Sequence, residues 1–168
     1  VRFETASATE FGGSGYDLIC YMDCFHDLGD PLGAARHTRA ALNEDGCLLL
    51  VEPFAGDRVE DNISPVGRMF YAASTALCVP NSLSQDVGLG LGAQAGEARL
   101  AEVLTEPGSA RVRRATETPL NLVIEARPCS RNTTPNGDDN DYDNAKPDQR
   151  PRPPPPTRHG RDPGPPPR

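Results

Sequence analysis

Two short, almost unbroken apolar runs, Tyr16-Asp17-Leu18-Ile19-Cys20-Tyr21-Met22 and Cys47-Leu48-Leu49-Leu50-Val51, flank one amphipathic stretch, and this arrangement constrains the fold more than any other feature. Runs of this length and continuity read as strands buried on both faces, as in parallel sheets. Between them, Asp30-Pro31 offers an N-cap followed by proline at the first helical position. Leu32, Ala35, Arg39 and Leu42 then recur at spacings of three, four and three, with Arg39 burying only its stem, and Asn43-Glu44-Asp45-Gly46 stops the helix. Strand, helix and strand in this order make a parallel crossover unit, because two parallel strands cannot be joined by a tight turn.

The remaining elements extend that unit. Ser64-Pro65 opens a helix in which Val66, Met69, Phe70, Ala73 and Leu77 share a face, and Pro80 is expected to end it. A helix near Glu97 to Thr105 gathers Leu100, Val103 and Leu104 ahead of Pro107-Gly108. Arg111 to Thr116 and Leu120 to Ala126 read as strands around the Glu117-Thr118-Pro119 turn, a connection so short that they must pair antiparallel. Val1 to Ala6 reads as an additional strand. The expected class is α/β: a sheet with helices on its faces and an antiparallel last pair.

Composition divides the 168 residues in two. Of the 18 prolines, 12 lie in residues 128–168, where the proline runs 151–156 and 163–167 favour extended, solvated backbone. This tail is expected to be disordered, with ligands for SH3- or WW-type domains as a secondary possibility. Residues 1–127, the expected folded domain, hold 10 Arg, no Lys and 18 Asp plus Glu, a net charge of about −8. So acidic a body makes a poor phosphate-backbone binder, so no nucleic-acid partner is expected. No apolar run approaches membrane-spanning length, and Val1 does not begin a charged-then-apolar export signal, so a cytoplasmic protein without membrane attachment is expected. Five cysteines in scattered contexts suggest reduced thiols rather than a secreted disulfide framework.

In open parallel sheets ligands sit beyond the carboxyl ends of the strands. That rule selects Ala6-Ser7-Ala8, Met22-Asp23-Cys24-Phe25-His26-Asp27 and Glu52-Pro53-Phe54. Asp23 and His26 stand three apart, and a histidine side chain titrates near neutrality, as a general base must. Cys20, Cys24 and His26 lack the spacing of a zinc site, and no metal is expected. Gly88-x-Gly90-x-Gly92 follows no apolar strand, which argues against a nucleotide loop and for a mobile segment or glycine-broken helix able to act as a lid. No Gly-x-Ser-x-Gly turn is present, so a serine hydrolase is not expected.

Several of these motifs, in order, resemble class I S-adenosylmethionine-dependent methyltransferases: Phe3-Glu4-Thr5-Ala6-Ser7-Ala8, Tyr16-Asp17-Leu18-Ile19 through Phe25-His26-Asp27-Leu28 with Asp30-Pro31, and Gly46 to Glu52-Pro53. The closer similarity is to a bacterial subgroup with His-Asp-x-x-Asp-Pro after the fourth strand, Glu-Pro-Phe after the fifth, and a Gly-Ala-Gln-Ala-Gly stretch, here Gly92 to Gly96. The resemblance covers about residues 2–127. It implies a partial Rossmann-like methyltransferase sheet from the third strand onward, with the antiparallel last pair. It implies S-adenosyl-L-methionine as cofactor and a small-molecule methyl acceptor. By the same resemblance Ser7, in place of an adenine-contacting Asp, and Ala8 hold the cofactor, Met22 and Asp23 line it, and His26 is the base. The family's first strand, GxGxG loop and the acidic residue closing its second strand would belong upstream of Val1. The chain alone would then keep part of the cofactor pocket, show impaired transfer, and call for a homo-oligomer or a complementing chain. The alternatives are a nicotinamide-dependent oxidoreductase fragment and a non-catalytic interaction protein.

Overall fold

The computed structural model describes residues 1–106 and 110–128. In them one sheet is built from β1 (Tyr16–Met22), β2 (Leu42–Pro53), β3 (Ala110–Glu117) and β4 (Asn121–Pro128), in the spatial order β1-β2-β4-β3. β1 and β2 are parallel, with Tyr21 opposite Leu50 and Met22 opposite Val51. β4 is antiparallel to both β2 and β3. The helices are α1 (Pro31–Ala41), α2 (Pro65–Ala73), α3 (Val79–Leu83) and α4 (Gly96–Thr105). The α/β class, the parallel crossover and the antiparallel last pair all stand as read from the sequence. The tail from residue 129 onward lies outside the described residues.

The sheet register decides where the core sits. Leu48 opposes Ala126 and Leu50 opposes Ile124, so these side chains share one face, beside Tyr21 and Leu122. Ala34 and Ala35 of α1 and Leu100, Val103 and Leu104 of α4 join them in one buried cluster. Leu50, Leu122 and Ile124 are fully buried, each worth about 1.5–3 kcal/mol relative to exposure. α1 begins as expected: the Asp30 carboxylate accepts from the Gly33 N–H at 2.8 Å, with Pro31 next. Its fully buried face is Pro31, Ala34, Ala35, Thr38 and Ala41, with Leu32 and Leu42 half-buried against the same core, because small residues let the helix lie close to the sheet.

Four expectations are corrected. β1 is not buried on both faces: Tyr21 is its one buried residue, while Leu18 and Met22 are 55% and 58% exposed. It is an edge strand, and Leu18, Cys20 and Met22 point away from the core. Among the described residues Val1 to Ala6 carries no strand pairing; its residues are exposed, and Arg2 pairs with Glu4 two positions on. Val1 and Phe3 are almost wholly exposed, and among the described residues a ladder there would gain no burial.

Asn43 to Gly46 does not terminate an element but loops out within β2: Tyr16 pairs with Leu42, and the next pairing is Leu18 with Cys47. The Asn43 side-chain amide donates to Gly15 O at 2.9 Å and to Asp17 Oδ1 at 2.6 Å, clamping the loop onto the start of β1. Pro80 does not end the helical run either. α2 passes into a π-turn over Ser74–Cys78, where the Val79 N–H reaches back to Ser74 O, and helix resumes through Leu83 with Pro80 in its first turn. The wider turn accommodates a ring that lacks an N–H, and such bulges recur at functional sites.

Candidate functional site

The parallel strands deliver their ends to one rim. After Met22 the Asp23 N–H still donates to Val51 O at 2.6 Å, and Asp23 then adopts φ 54°, turning the chain into a 3-10 turn over Phe25–Asp27. This turn docks on the end of β2 through Glu52, which is 1% exposed. Glu52 Oε1 accepts from the Phe25 N–H at 2.9 Å, and Oε2 from the His26 N–H at 3.3 Å. The same Oε2 meets His26 Nδ1 at 2.5 Å. The ring is thereby held in one orientation, with Nε2 turned to Asp27 Oδ1 at 3.4 Å.

His26 is 4% exposed. Its burial disfavours the imidazolium, but the Glu52 hydrogen bond and the charges of Glu52, Asp27 and Asp23 outweigh that cost and raise its pKa above the ordinary value. Asp27 Oδ1 is buried and accepts no hydrogen bond. Cys78, the last residue of the π-turn, stands beside it, and one ligand atom from each of His26, Asp27 and Cys78 lies within 4.8 Å of the other two. Burial first, and then the Asp27 carboxylate, push the Cys78 thiol up.

The glycine stretch is neither helix nor loose loop. Gly88, Gly90 and Gly92 all have φ between 62° and 70°. The Leu89 N–H donates to Gly29 O at 2.9 Å, the Gly92 N–H to His26 O at 3.2 Å, the Gly90 N–H to Ser82 Oγ at 3.0 Å and the Ala93 N–H to Ser74 Oγ at 3.0 Å. At Gly92 the positive φ coincides with close approach: a Cβ there would meet Ser74 Oγ and, at 2.7 Å, Val79 Cγ2. The stretch is a strap tied across the site and reaches Gln94, whose amide donates to Phe54 O and Ala93 O while its Oε1 is buried without a partner.

The expected cofactor residues fall in two places. Ser7 and Ala8 line a groove of about 440 Å³ with Phe11, Tyr16 and residues 18–21 of β1. They also border a second groove of about 560 Å³, closed by Leu28, Gly29, Asp30, Ser84, Gln85 and Asp86. Ser7 Oγ pairs with Thr9 Oγ1 at 2.8 Å and accepts the Thr9 N–H. Met22 and Asp23 lie at the β1 end and line neither groove, nor does His26. Sequence reasoning singled out Glu52 only as a strand-end residue; a carboxylate directly after an apolar run was the available signal. Cys78 gave none, since its position depends on the π-turn, and Gln94 stood out only as the centre of the Gly92 to Gly96 stretch, with no role attached.

No family model matches the chain, and no curated protein does. Solved structures do. An O-methyltransferase family protein from Burkholderia thailandensis matches with a TM-score of 0.52 and 20% identity over 75% of this chain and 35% of its own. An O-methyltransferase of neocarzinostatin biosynthesis, in complex with S-adenosyl-L-homocysteine and 1,4-dihydroxy-2-naphthoic acid, matches with 0.51 and 19% identity over 74% and 33%. A protein named TnmH matches with 0.55 and 21% identity over 74% and 34%. This chain thus spans about a third of the length of each of these structures. At this level of identity the likeness is one of fold, and the described residues have the fold of the corresponding part of O-methyltransferases.

Proposed function

We propose that this chain contributes part of the active site of an S-adenosyl-L-methionine-dependent O-methyltransferase acting on a small hydroxylated, aromatic molecule. The observation that carries the reading is the buried His26–Glu52 pair at the shared rim of β1 and β2, in a sheet with the methyltransferase order. The antiparallel β3–β4 pair and the Glu52-Pro53 end of β2 favour it over a nicotinamide-dependent oxidoreductase.

The groove beside β1 falls in the size range of ligand pockets, about 300–1,000 Å³, and offers one hydroxyl at Ser7 and an apolar floor at Ala8 and Ile19. These residues would hold the adenine end of S-adenosyl-L-methionine, with Met22 and Asp23 on its reactive side. When bound, the cofactor supplies an electrophilic methyl group. His26 Nε2 accepts the proton of the acceptor hydroxyl, and Glu52, bonded to Nδ1, holds the ring and stabilises the imidazolium. Asp27 adds a second negative charge next to it. The open β1 edge and the row Leu18, Cys20 and Met22 are where a second copy or a complementing chain would complete the pocket.

Calorimetric titration with S-adenosyl-L-homocysteine tests cofactor binding: a saturating heat supports it, and no heat at millimolar ligand rejects cofactor binding by this chain. With 1,4-dihydroxy-2-naphthoic acid as the trial acceptor, His26→Gln should lower methyl transfer about 10²- to 10⁴-fold while S-adenosyl-L-homocysteine affinity stays unchanged. Equal rates in the two proteins would remove His26 from the chemistry.

A further inference from the structure

We propose that His26 Nε2, Asp27 Oδ1 and Cys78 Sγ form a binding site for a borderline-soft divalent cation of the zinc class, with a fourth coordination position open. Three independent features support it. The first is the donor set: imidazole, carboxylate and thiolate are the three ligand types zinc takes, and they meet here from two distant stretches of chain. The second is spacing. A tetrahedral ion bound at 2.0–2.1 Å by nitrogen and oxygen separates those atoms by about 3.3 Å, and Nε2 and Oδ1 stand 3.4 Å apart. The sulfur edge of such a tetrahedron is about 3.6 Å, so from at most 4.8 Å the thiol needs to move by about 1 Å, within reach of a side-chain rotation.

The third is the surroundings. Glu52 accepts from His26 Nδ1, the carboxylate–histidine arrangement that orients a metal-binding imidazole and turns its other nitrogen toward Asp27. Asp27 Oδ1 is buried without a hydrogen-bond partner, a cost that a cation would remove. Cys78 reaches this point because it closes the π-turn; a regular helix would carry residue 78 to a different azimuth. No spacing rule could reveal the site, since Cys78 lies about fifty residues from His26. Cation binding stands apart from the methyl-transfer reading, but a bound ion would occupy the nitrogen that reading assigns to the acceptor proton, making the site inhibitory.

The test is titration of the full chain with Co²⁺ under reducing conditions, followed in the near ultraviolet for thiolate-to-cobalt charge transfer and in the visible for tetrahedral bands. The expected result is one saturating equivalent with both signals, reversed by Zn²⁺. Cys78→Ser should abolish the charge-transfer band, Cys24→Ser should keep it, and Glu52→Gln should weaken binding about 10-fold or more. A band that never saturates at one equivalent, or that survives in Cys78→Ser, overturns the proposal. X-ray absorption of the zinc-loaded wild-type protein gives a second readout that needs no variant: one sulfur among nitrogen and oxygen neighbours supports the site, and a shell without sulfur overturns it.

Discussion

At the scale of single residues, Glu52 does the most with the least solvent contact. Its two oxygens meet the backbone N–H groups of Phe25 and His26 and the ring of His26. Truncation therefore removes three contacts at once and leaves donors buried. Glu52→Ala should cost about 3–5 kcal/mol of unfolding free energy, the range for breaking a buried charge pair from one side. Glu52→Gln keeps an acceptor and the shape, and should cost about 1–3 kcal/mol. Urea unfolding of the two variants checks this ranking, and equal losses would mean that shape rather than charge holds the 3-10 turn. Much of this was legible beforehand: His26 and the Glu52-Pro53 strand end both stood out as rim residues. Their contact was not, because it depends on β1 and β2 being register neighbours, a tertiary fact that neither run contains by itself.

At the scale of elements, the bent helical run and the glycine strap act as one unit. Ser82 is fully buried; its hydroxyl donates to Leu28 O at 2.7 Å and accepts from the Gly90 N–H at 3.0 Å. Ser82→Ala strands both partners and should cost about 1–3 kcal/mol. Hydrogen exchange should speed up at Gly90 and Ala93, while Ser84→Ala, on the exposed side, should leave those amides unchanged. Uniform acceleration over the whole sheet in Ser82→Ala would contradict a local strap. Glycines at alternate positions read from sequence as a mobile segment or a glycine-broken helix because they look permissive; in the structure the positive φ values at Gly88, Gly90 and Gly92 aim N–H groups at fixed acceptors.

The β3–β4 pair carries a different device. Arg113 and Arg127 both bind Glu125, which faces Arg113 across the ladder. The hydrogen bond from Arg127 is the largest influence, and with the charges of both arginines it outweighs partial burial, so the Glu125 pKa is lowered. A lowered folded-state pKa contributes stability above the unfolded carboxylate value of about 4.3, and that contribution is lost as pH falls through the folded value. Glu125 is 13% exposed but its arginine partners are 60% and 45% exposed, so solvent screens the pairs, the gain is at most about 1 kcal/mol and it should shrink in salt. Wild type and Glu125→Gln should therefore differ most at neutral pH in low salt and converge in acid; a constant difference across pH would deny the ionic origin.

At the scale of the whole molecule, the sheet is unevenly finished. One face lies under α1 and α4, whereas on β1 the opposite row of Leu18, Cys20 and Met22 is exposed and the strand's outer edge is unpaired among the described residues. An open edge beside apolar side chains is a template for pairing with another chain. The overall charge of −7 opposes such contact between copies at low ionic strength. Salt should weaken that repulsion while leaving the apolar attraction in place, so sedimentation velocity should show association that grows with protein concentration and with salt. Leu18→Lys places a charge on the open row at a position already 55% exposed, so it should suppress association with little change in unfolding free energy. An equivalent lysine at Ser84, away from the sheet, should leave association as in wild type. If the chain sediments as a monomer at every concentration and salt level, the edge is protected by something other than charge, and the row on β1 loses its role as the surface through which a second chain completes the rim.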